Sequence, residues 1–339
     1  MRRPSYRRTT FCHVTWQRHG GRAEEFAHVF GGCAVHVYPR ALSKRRWVLL
    51  RYLVSVIQTA AALVRQRPAA VVVVNPPVFP GLVVAAYCRL TGARFLLDSH
   101  TGSFGVKGNA IAARSLGITR WLARRSAGVM VTTTSWVAEV QTWGARGLVV
   151  HEAPPSWTVE APRRTSRPQV LFVGVFSSDE PVEQVVAAAD LLPEVDLLVT
   201  GDVARAPAGV VAGAGGNVVF TGFLNQQGYR ALLETADVVI ALTTEPTSVM
   251  RAAYEAVYAR RGLVVSDWPA LREVFPLARH RGHDPASIAD GVREALADDP
   301  DTANARAQRA FDGQVARWDD QLAAMREALA LPGPDPQEA

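Results

Sequence analysis

The sequence predicts an α/β protein of two parallel-sheet domains closed by a long C-terminal helix. Three observations carry this expectation. Short apolar, β-branched runs alternate with helical patterns through residues 11–150 and again through 169–267, the rhythm of buried parallel strands and their covering helices. Between the two series, residues 151–168 hold four prolines and no periodicity, the composition of a linker. A single helical pattern then runs from about Ala303 to Leu329. Each half is therefore expected to be Rossmann-like, with a ligand cleft between the halves. The expected boundaries are 1–160 for the first domain, 161–304 for the second, 305–330 for a helix packing back toward the first, and 331–339 for a disordered tail.

Charge narrows the partners. Residues 1–165 carry 23 Lys and Arg against 6 Asp and Glu, and residues 166–339 carry 14 against 25. A basic half joined to an acidic half points to an anion facing the first, either a membrane surface or a phosphorylated substrate. No basic recognition helix stands out, so nucleic acid is not expected. Cys12, Cys33 and Cys88 lack paired spacing, which argues for a reducing compartment and against a disulfide framework or zinc site. The charged start, Met1 to Arg8, has no apolar stretch behind it, and no run of eighteen apolar residues occurs. Neither a signal peptide nor a spanning helix is expected. The expected location is the cytoplasm, with peripheral contact to the inner face of the cell membrane.

In the first half, Phe11 to Trp16 reads as a strand weakened by His13 and Thr15. Gly20 and Gly21 follow, permitting close backbone approach by a ligand, with His19 and Arg22 beside them as candidate phosphate contacts. A helix from 22 to 30 and a strand from 35 to 38 come next. Residues 40–67 join a basic, aromatic start to an amphipathic helix. Arg51, Ser55, Gln58, Thr59 and Gln66 recur at helical spacing, so 53–67 is expected to cover the sheet with that polar face in solvent. Lys44, Arg45, Arg46 and Trp47 are expected on anionic headgroups or beside an acceptor. The strand at 69–74 ends in Asn75-Pro-Pro77. The strand at 94–97 ends at Asp98-Ser-His100, and ionisable residues at the carboxyl end of a parallel strand make Asp98 and His100 candidate catalytic bases. Helices at 111–126 and 135–143 alternate with strands at 129–132 and 148–150.

The second half restarts with a strand at 169–173, a loop from Gly174, and a helix from Pro181 capped by Asp179. Strands at 195–199 and 218–221 close on Gly201 and on Gly222-Phe223, and a helix spans 229–235. Residues 237–267 read as strand, polar turn, helix, glycine stop and strand. The helix is expected to start near Pro246-Thr247-Ser248 with a hydroxyl cap and to end at Gly262. Such a helix start at a strand's carboxyl end offers amides and a positive dipole end to a phosphate. Glu255, further in, is an acceptor suited to a ribose. Helices at 271–274 and 288–297 precede the final one.

Three segments together resemble GT-B-fold glycosyltransferases of the family-4 type, in a divergent bacterial subgroup. They are Phe172-Val-Gly174 with its helix, Leu197 to Asp202 followed by Val219 to Phe223, and Asp237 to Asp267 around Glu255. The resemblance covers about 169–275, and Asn75-Pro-Pro77 with Asp98-Ser-His100 looks like motifs of a bacterial subgroup. It implies hexosyl transfer from a nucleotide-diphosphate sugar to a glycan or lipid-linked acceptor, in cell-surface glycan or glycoconjugate biosynthesis, with no cofactor and no metal. It also implies that Glu255 grips the donor ribose and that Ser248, Val249 and Met250 bring amides to the diphosphate. Gly222 and Phe223 would lie near the base, Gly20 and Gly21 would form the first glycine loop, and His100 would contact the donor sugar. Gly174, Gly201, Glu245, Thr247 and Arg251 complete the implied donor side.

Two departures qualify the match. Thr247 stands eight before Glu255, where the family places a first Glu, and the nearest Glu, Glu245, has nine residues between. The Arg and Lys usual just after Gly174 are replaced by Val175 and Glu180-Pro181, leaving Arg18, Arg22, Lys107 or Arg251 to meet phosphate charge. Retention of anomeric configuration is favoured over inversion. The alternatives are a non-catalytic sugar-nucleotide-binding or partner protein of the same fold, and a sugar-nucleotide epimerase.

Overall fold

The computed structural model describes residues 10–18, 22–105, 110–155 and 166–332. His19, Gly20, Gly21, Lys107, the linker residues 156–165 and the tail from 333 lie outside the described residues, and Arg45 is described in its backbone alone. Contacts divide the chain into two units, one running to Ala153 and resuming at Trp318, the other Pro154–Arg317.

The apolar runs of the first unit form β1 (Phe11–Thr15), β2 (Cys33–His36), β3 (Ala70–Asn75), β4 (Arg94–Ser99), β5 (Gly128–Val131) and β6 (Gly147–Val149). All are parallel, in the order β2-β1-β3-β4-β5-β6. The intervening helices are α1 (Ala23–Val29), α2 (Val48–Gln66), α3 (Val78–Thr91), α4 (Ala110–Ala123) and α5 (Thr134–Thr142). Alternation divides β3 between two cores. Val71 and Val73 pack with Leu97 and Leu122 on one face, and Ala70 and Val72 pack with Phe11, Phe26 and Met130 on the other. The second face also receives Trp318, Met325 and Leu329 from the end of the last helix. His13 and Thr15, which weaken β1 as a sequence, are both buried within it.

The helix α2 corrects its expectation. Its polar positions Ser55 and Thr59 are buried with Leu63, while Leu49 (83%), Leu53 (57%) and Ile57 (59%) are exposed, with Leu50 and Val64 also outward. The physical reason is local satisfaction. Thr59 Oγ1 donates to the Ser55 carbonyl at 2.7 Å and accepts from Trp16 Nε1 at 2.9 Å, so small hydroxyl side chains pass into the unit without an unmet polar atom. Amphipathic spacing is present, but the apolar stripe is the outer one. The helix is also 19 residues long with mean hydropathy 1.5, long and apolar enough by length and composition to cross a membrane, contrary to expectation. Its inner face is committed to α3 and the core.

The second unit forms β7 (Gln169–Phe172), α6 (Val182–Asp190), β8 (Asp196–Thr200), β9 (Val218–Gly222), α7 (Gln226–Thr235), β10 (Val238–Ala241), α8 (Arg251–Tyr258), β11 (Gly262–Ser266), α9 (Pro269–Val274), β12 (Arg279–Arg281), α10 (Pro285–Ala297) and the start of α11 (Pro300–Leu329). Its sheet is again parallel, in the order β12-β11-β10-β7-β8-β9. Phe172, Val199 and Ile240 face α6 and α10; Leu171, Leu198 and Val239 face α8, α9 and Phe311 of α11. The edge strand β12 is Arg-His-Arg, with no apolar run to announce it.

Candidate functional site

In the second sheet, order runs outward from β7 to β9 on one side and from β10 to β12 on the other. The switch point therefore lies between β7 and β10, the place where open parallel sheets of this kind bind ligands. Asp179 ties together the loops leaving these two strands. Its Oδ2 accepts from Thr243 Oγ1 at 2.9 Å, its Oδ1 from Ser177 Oγ at 2.6 Å, and its carbonyl from the Thr244 amide at 2.7 Å. Asp179 is thus a loop strut and not the helix cap expected of it; Pro181 precedes α6 without a side-chain cap. Behind the β10 loop, the Thr243 carbonyl accepts from Ser266 Oγ at 2.9 Å and from Trp268 Nε1 at 2.8 Å.

The loop after β7 contains an anion nest that is already filled. The amides of Val175, Phe176 and Ser177 converge on Glu180 Oε2 at 2.9, 2.8 and 3.4 Å. Burial raises the Glu180 pKa and these donors lower it, with burial the larger effect. Glu180, read from sequence only as a departure, is an internal carboxylate in a place suited to a phosphate. Gly174 and Gly201 serve this loop packing. A Cβ on Gly174 would lie 2.9 Å from the Phe172 ring, and one on Gly201, at φ +123°, would lie 2.8 Å from the Phe176 ring. At the end of β9, Gly222 turns at φ +73° beside open space, and Phe223 beyond it is 81% exposed.

Glu245, Thr247 and Ser248 form a turn instead of a helix start. Thr247 Oγ1 donates to Glu245 Oε1 at 2.8 Å, and the Ser248 amide donates to the Glu245 carbonyl at 3.1 Å. Val249 and Met250 turn their side chains onto the core. The helix α8 begins later than expected, at Arg251, with Met250 as N-cap and no hydroxyl cap. It also ends earlier, at Tyr258. Arg260 takes the left-handed turn (φ +54°), and Gly262 belongs to β11. The first-turn amides of α8 lack i−4 carbonyls, so the positive helix end still faces the β10 loop.

On α8, Glu255 is held from two sides. Arg251 Nε donates to Glu255 Oε1 at 3.0 Å, and Tyr229 Oη donates to Oε2 at 2.6 Å. Tyr229 comes from α7; burial first, then the Glu255 charge, pushes its phenol pKa up. The arrangement is a partly buried carboxylate, fixed in orientation, one turn from a helix N-terminus at a sheet switch point. It can accept from a diol while the helix start faces an anion. Among the described residues no group of three or more His, Cys, Asp or Glu is placed to hold a metal ion.

No family model and no curated protein matches the sequence. Solved structures do match. Sucrose-phosphate synthase from Thermosynechococcus elongatus aligns at TM-score 0.71 and 15% identity over 94% of this chain and 98% of that one. Anabaena HepE in complex with UDP-glucose aligns at TM-score 0.68 and 12% identity over 95% and 99%. A glycosyltransferase from Rickettsia africae aligns at TM-score 0.60 and 13% identity over 96% and 99%. This chain has the GT-B fold.

In the first unit of the GT-B fold, Asp98 and His100 sit at the carboxyl end of β4 in different states. Asp98 is fully buried. Arg22 pairs with both its oxygens, through Nη2 to Oδ1 and through Nε to Oδ2 at 3.1 Å, and donates onward to the Val150 carbonyl at 3.0 Å. Burial raises the Asp98 pKa, but Arg22, His100 and His13 together hold it below the ordinary range. Arg22 is therefore a buried strut and not a phosphate contact. His100 is exposed. Its amide donates to the Asn75 carbonyl at 3.1 Å, which Ser103 Oγ also reaches at 2.6 Å, so the ends of β3 and β4 are fixed together around it. Lys44, Arg46 and Trp47 are exposed just before α2.

Sequence reasoning missed Tyr229, the strut role of Asp179 and the filled nest at Glu180. The Glu180 nest had one signal, an acidic residue a few positions after a glycine loop. Tyr229 had none, since its bond to Glu255 spans 26 residues and two helices.

Proposed function

We propose that this GT-B protein is a glycosyltransferase that takes a nucleotide-diphosphate sugar on its second unit and transfers the sugar to a glycan or lipid-linked acceptor. The observation that carries the reading is the Arg251–Glu255–Tyr229 constellation on α8, at the switch point between β7 and β10. Glu255 accepts the ribose hydroxyls. The α8 amides and Arg251 meet the diphosphate and stabilise it as it leaves, with no metal step. The nest at 175–177 takes no phosphate, because Glu180 fills it. Anabaena HepE, similar in fold, is described with UDP-glucose, which supports a nucleotide-sugar donor. In a retaining reaction the leaving phosphate oxygen accepts the acceptor proton. Inversion would assign that proton to the exposed His100, since Asp98 is engaged with Arg22.

The acceptor side is proposed to work at the inner membrane surface, in cell-surface glycan or glycoconjugate synthesis. Support comes from α2, whose outward Leu49, Leu53, Ile57 and Val64 follow directly on exposed Lys44, Arg46 and Trp47. An apolar stripe with a basic, aromatic end matches an anionic bilayer surface.

The test is incubation with UDP-, GDP- and TDP-sugars, with and without lipid-linked acceptors. Acceptor-dependent transfer, lost in Glu255→Ala, is expected. An acceptor-free epimer, or binding with neither transfer nor hydrolysis, would replace this reading with an epimerase or a binding protein.

A further inference from the structure

The second unit contains a half-open cavity of about 500 Å³ that belongs to neither the loops nor the constellation above. It lies at the opposite edge of the sheet. Asp237, Gly262 and Arg279, which line it, stand at the amino ends of β10, β11 and β12. Val257, Leu263, Phe275, Leu277 and Leu296 make its walls apolar. Its volume is in the range that holds a small organic molecule.

Its charge is cationic, with Arg260, Arg261, Arg279, Arg306, Arg309 and Arg317 against Asp237 and Asp298. Most of these groups already have partners. Asp298 accepts from Arg279 at 2.8 Å and from Arg306 at 3.1 Å, Arg260 donates to Gln308 at 2.8 Å, and Arg317 donates to the Val274 carbonyl at 3.1 Å. Arg261 differs. It is 8% exposed, its Nε is buried without a hydrogen-bond partner, and its guanidinium makes no ion pair among the described residues. Asp237 and Glu234 act on it only at longer range, and Asp237 Oδ2 already accepts from the Gln169 amide at 2.8 Å.

The backbone fixes this placement. Arg260 makes the left-handed turn at φ +54°, and the Arg261 amide donates to the Ala256 carbonyl at 2.9 Å, closing α8 with the Arg261 side chain turned inside. Arg261 thus stands at the cavity with two acidic residues only at longer range and no ion pair among the described residues, and an anionic ligand would supply a close counter-charge.

We propose that this cavity binds an amphiphilic anion, with a phosphate or carboxylate on Arg261 and an apolar body against Leu263, Phe275 and Leu296. Arg309, exposed, supplies a second positive charge. The site holds the C-terminal end of α8, the helix whose other end carries Arg251 and Glu255. Binding here does not depend on the transfer reaction.

Calorimetric titration with 1-naphthyl phosphate and with 1-naphthoate tests it. Saturable one-site binding of at least one probe is expected, weakened at least about tenfold in Arg261→Met and in Leu296→Trp, which fills the cavity, and retained in Glu255→Ala. Met removes the buried charge at similar volume, so ligand-free Arg261→Met is expected to melt no lower than the parent. Absence of binding by both probes, equal binding in Arg261→Met and Leu296→Trp, or a lower melting temperature for ligand-free Arg261→Met would overturn the proposal.

Discussion

Tyr229 on α7 donates a 2.6 Å hydrogen bond to Glu255 on α8, and Arg251 holds the other carboxylate oxygen at 3.0 Å. The carboxylate is thereby oriented before any ligand arrives, which lowers the ordering cost of binding. Tyr229→Phe removes one of these constraints without changing shape. It is expected to lower unfolding free energy by about 1.5–3 kcal/mol, the range for a hydrogen bond to a charged group. It should also weaken donor binding several-fold. Chemical denaturation and donor titration of the same variant check both.

The nest filled by Glu180 leads to a different expectation. Three loop amides share one carboxylate oxygen. Glu180→Ala leaves those amides without it, at a cost of about 1–3 kcal/mol. The emptied nest should then accept an inorganic anion. Added sulfate is expected to raise the melting temperature of Glu180→Ala more than that of the parent at equal ionic strength.

A pH dependence follows from His13. It is fully buried, and its pKa is lowered from 6.5 to about 3, chiefly by burial. Between those two values the unfolded chain binds a proton that the folded chain does not, so stability is complete above about pH 6.5 and falls as pH drops toward 3. One proton is worth about 1.4 kcal/mol per pH unit, giving a loss of about 2 kcal/mol between pH 7.5 and 5. Asp98, held below its ordinary range, adds to the loss only below about pH 4. Urea unfolding at the two pH values should show the loss in the parent and a smaller one in His13→Asn.

The exposed stripe of α2 is expected to act at a membrane. Each large aliphatic side chain buried in a bilayer contributes about 1.5–3 kcal/mol. Leu53→Glu with Ile57→Glu should reduce co-sedimentation with phosphatidylglycerol-containing vesicles by well over tenfold, at unchanged melting temperature, because both residues are exposed. Neutralising Lys44 and Arg46 should weaken binding by about 1 kcal/mol each and flatten its salt dependence. Equal co-sedimentation of parent and Leu53→Glu with Ile57→Glu, or a dimer in the parent that these changes dissolve, would contradict the membrane assignment.

How much of this was legible depended on whether the physics was local. Apolar runs such as Val71 to Val74 and Val238 to Leu242 announce buried parallel strands directly, and the polar residues following them mark the site's edge. The start of α8 was misplaced because Thr247, a plausible cap by type, bonds Glu245 within a turn. The edge strand β12 was missed because Arg-His-Arg carries no apolar signal. In α2, periodicity gave two faces but not their direction; Thr59 turned inward because Trp16, 43 residues away, offers it a donor. The pairs Tyr229–Glu255 and Arg22–Asp98 join distant segments, and neither is encoded in local spacing.

Glu255 is proposed to hold the ribose of a nucleotide donor at the head of α8. Calorimetric titration of the parent and of Glu255→Ala with UDP, GDP and TDP tests it most directly. Saturable binding of one nucleotide by the parent is expected, with a loss of at least about tenfold in Glu255→Ala at unchanged fold. Equal affinity in the two proteins, or no nucleotide binding by the parent, would contradict it.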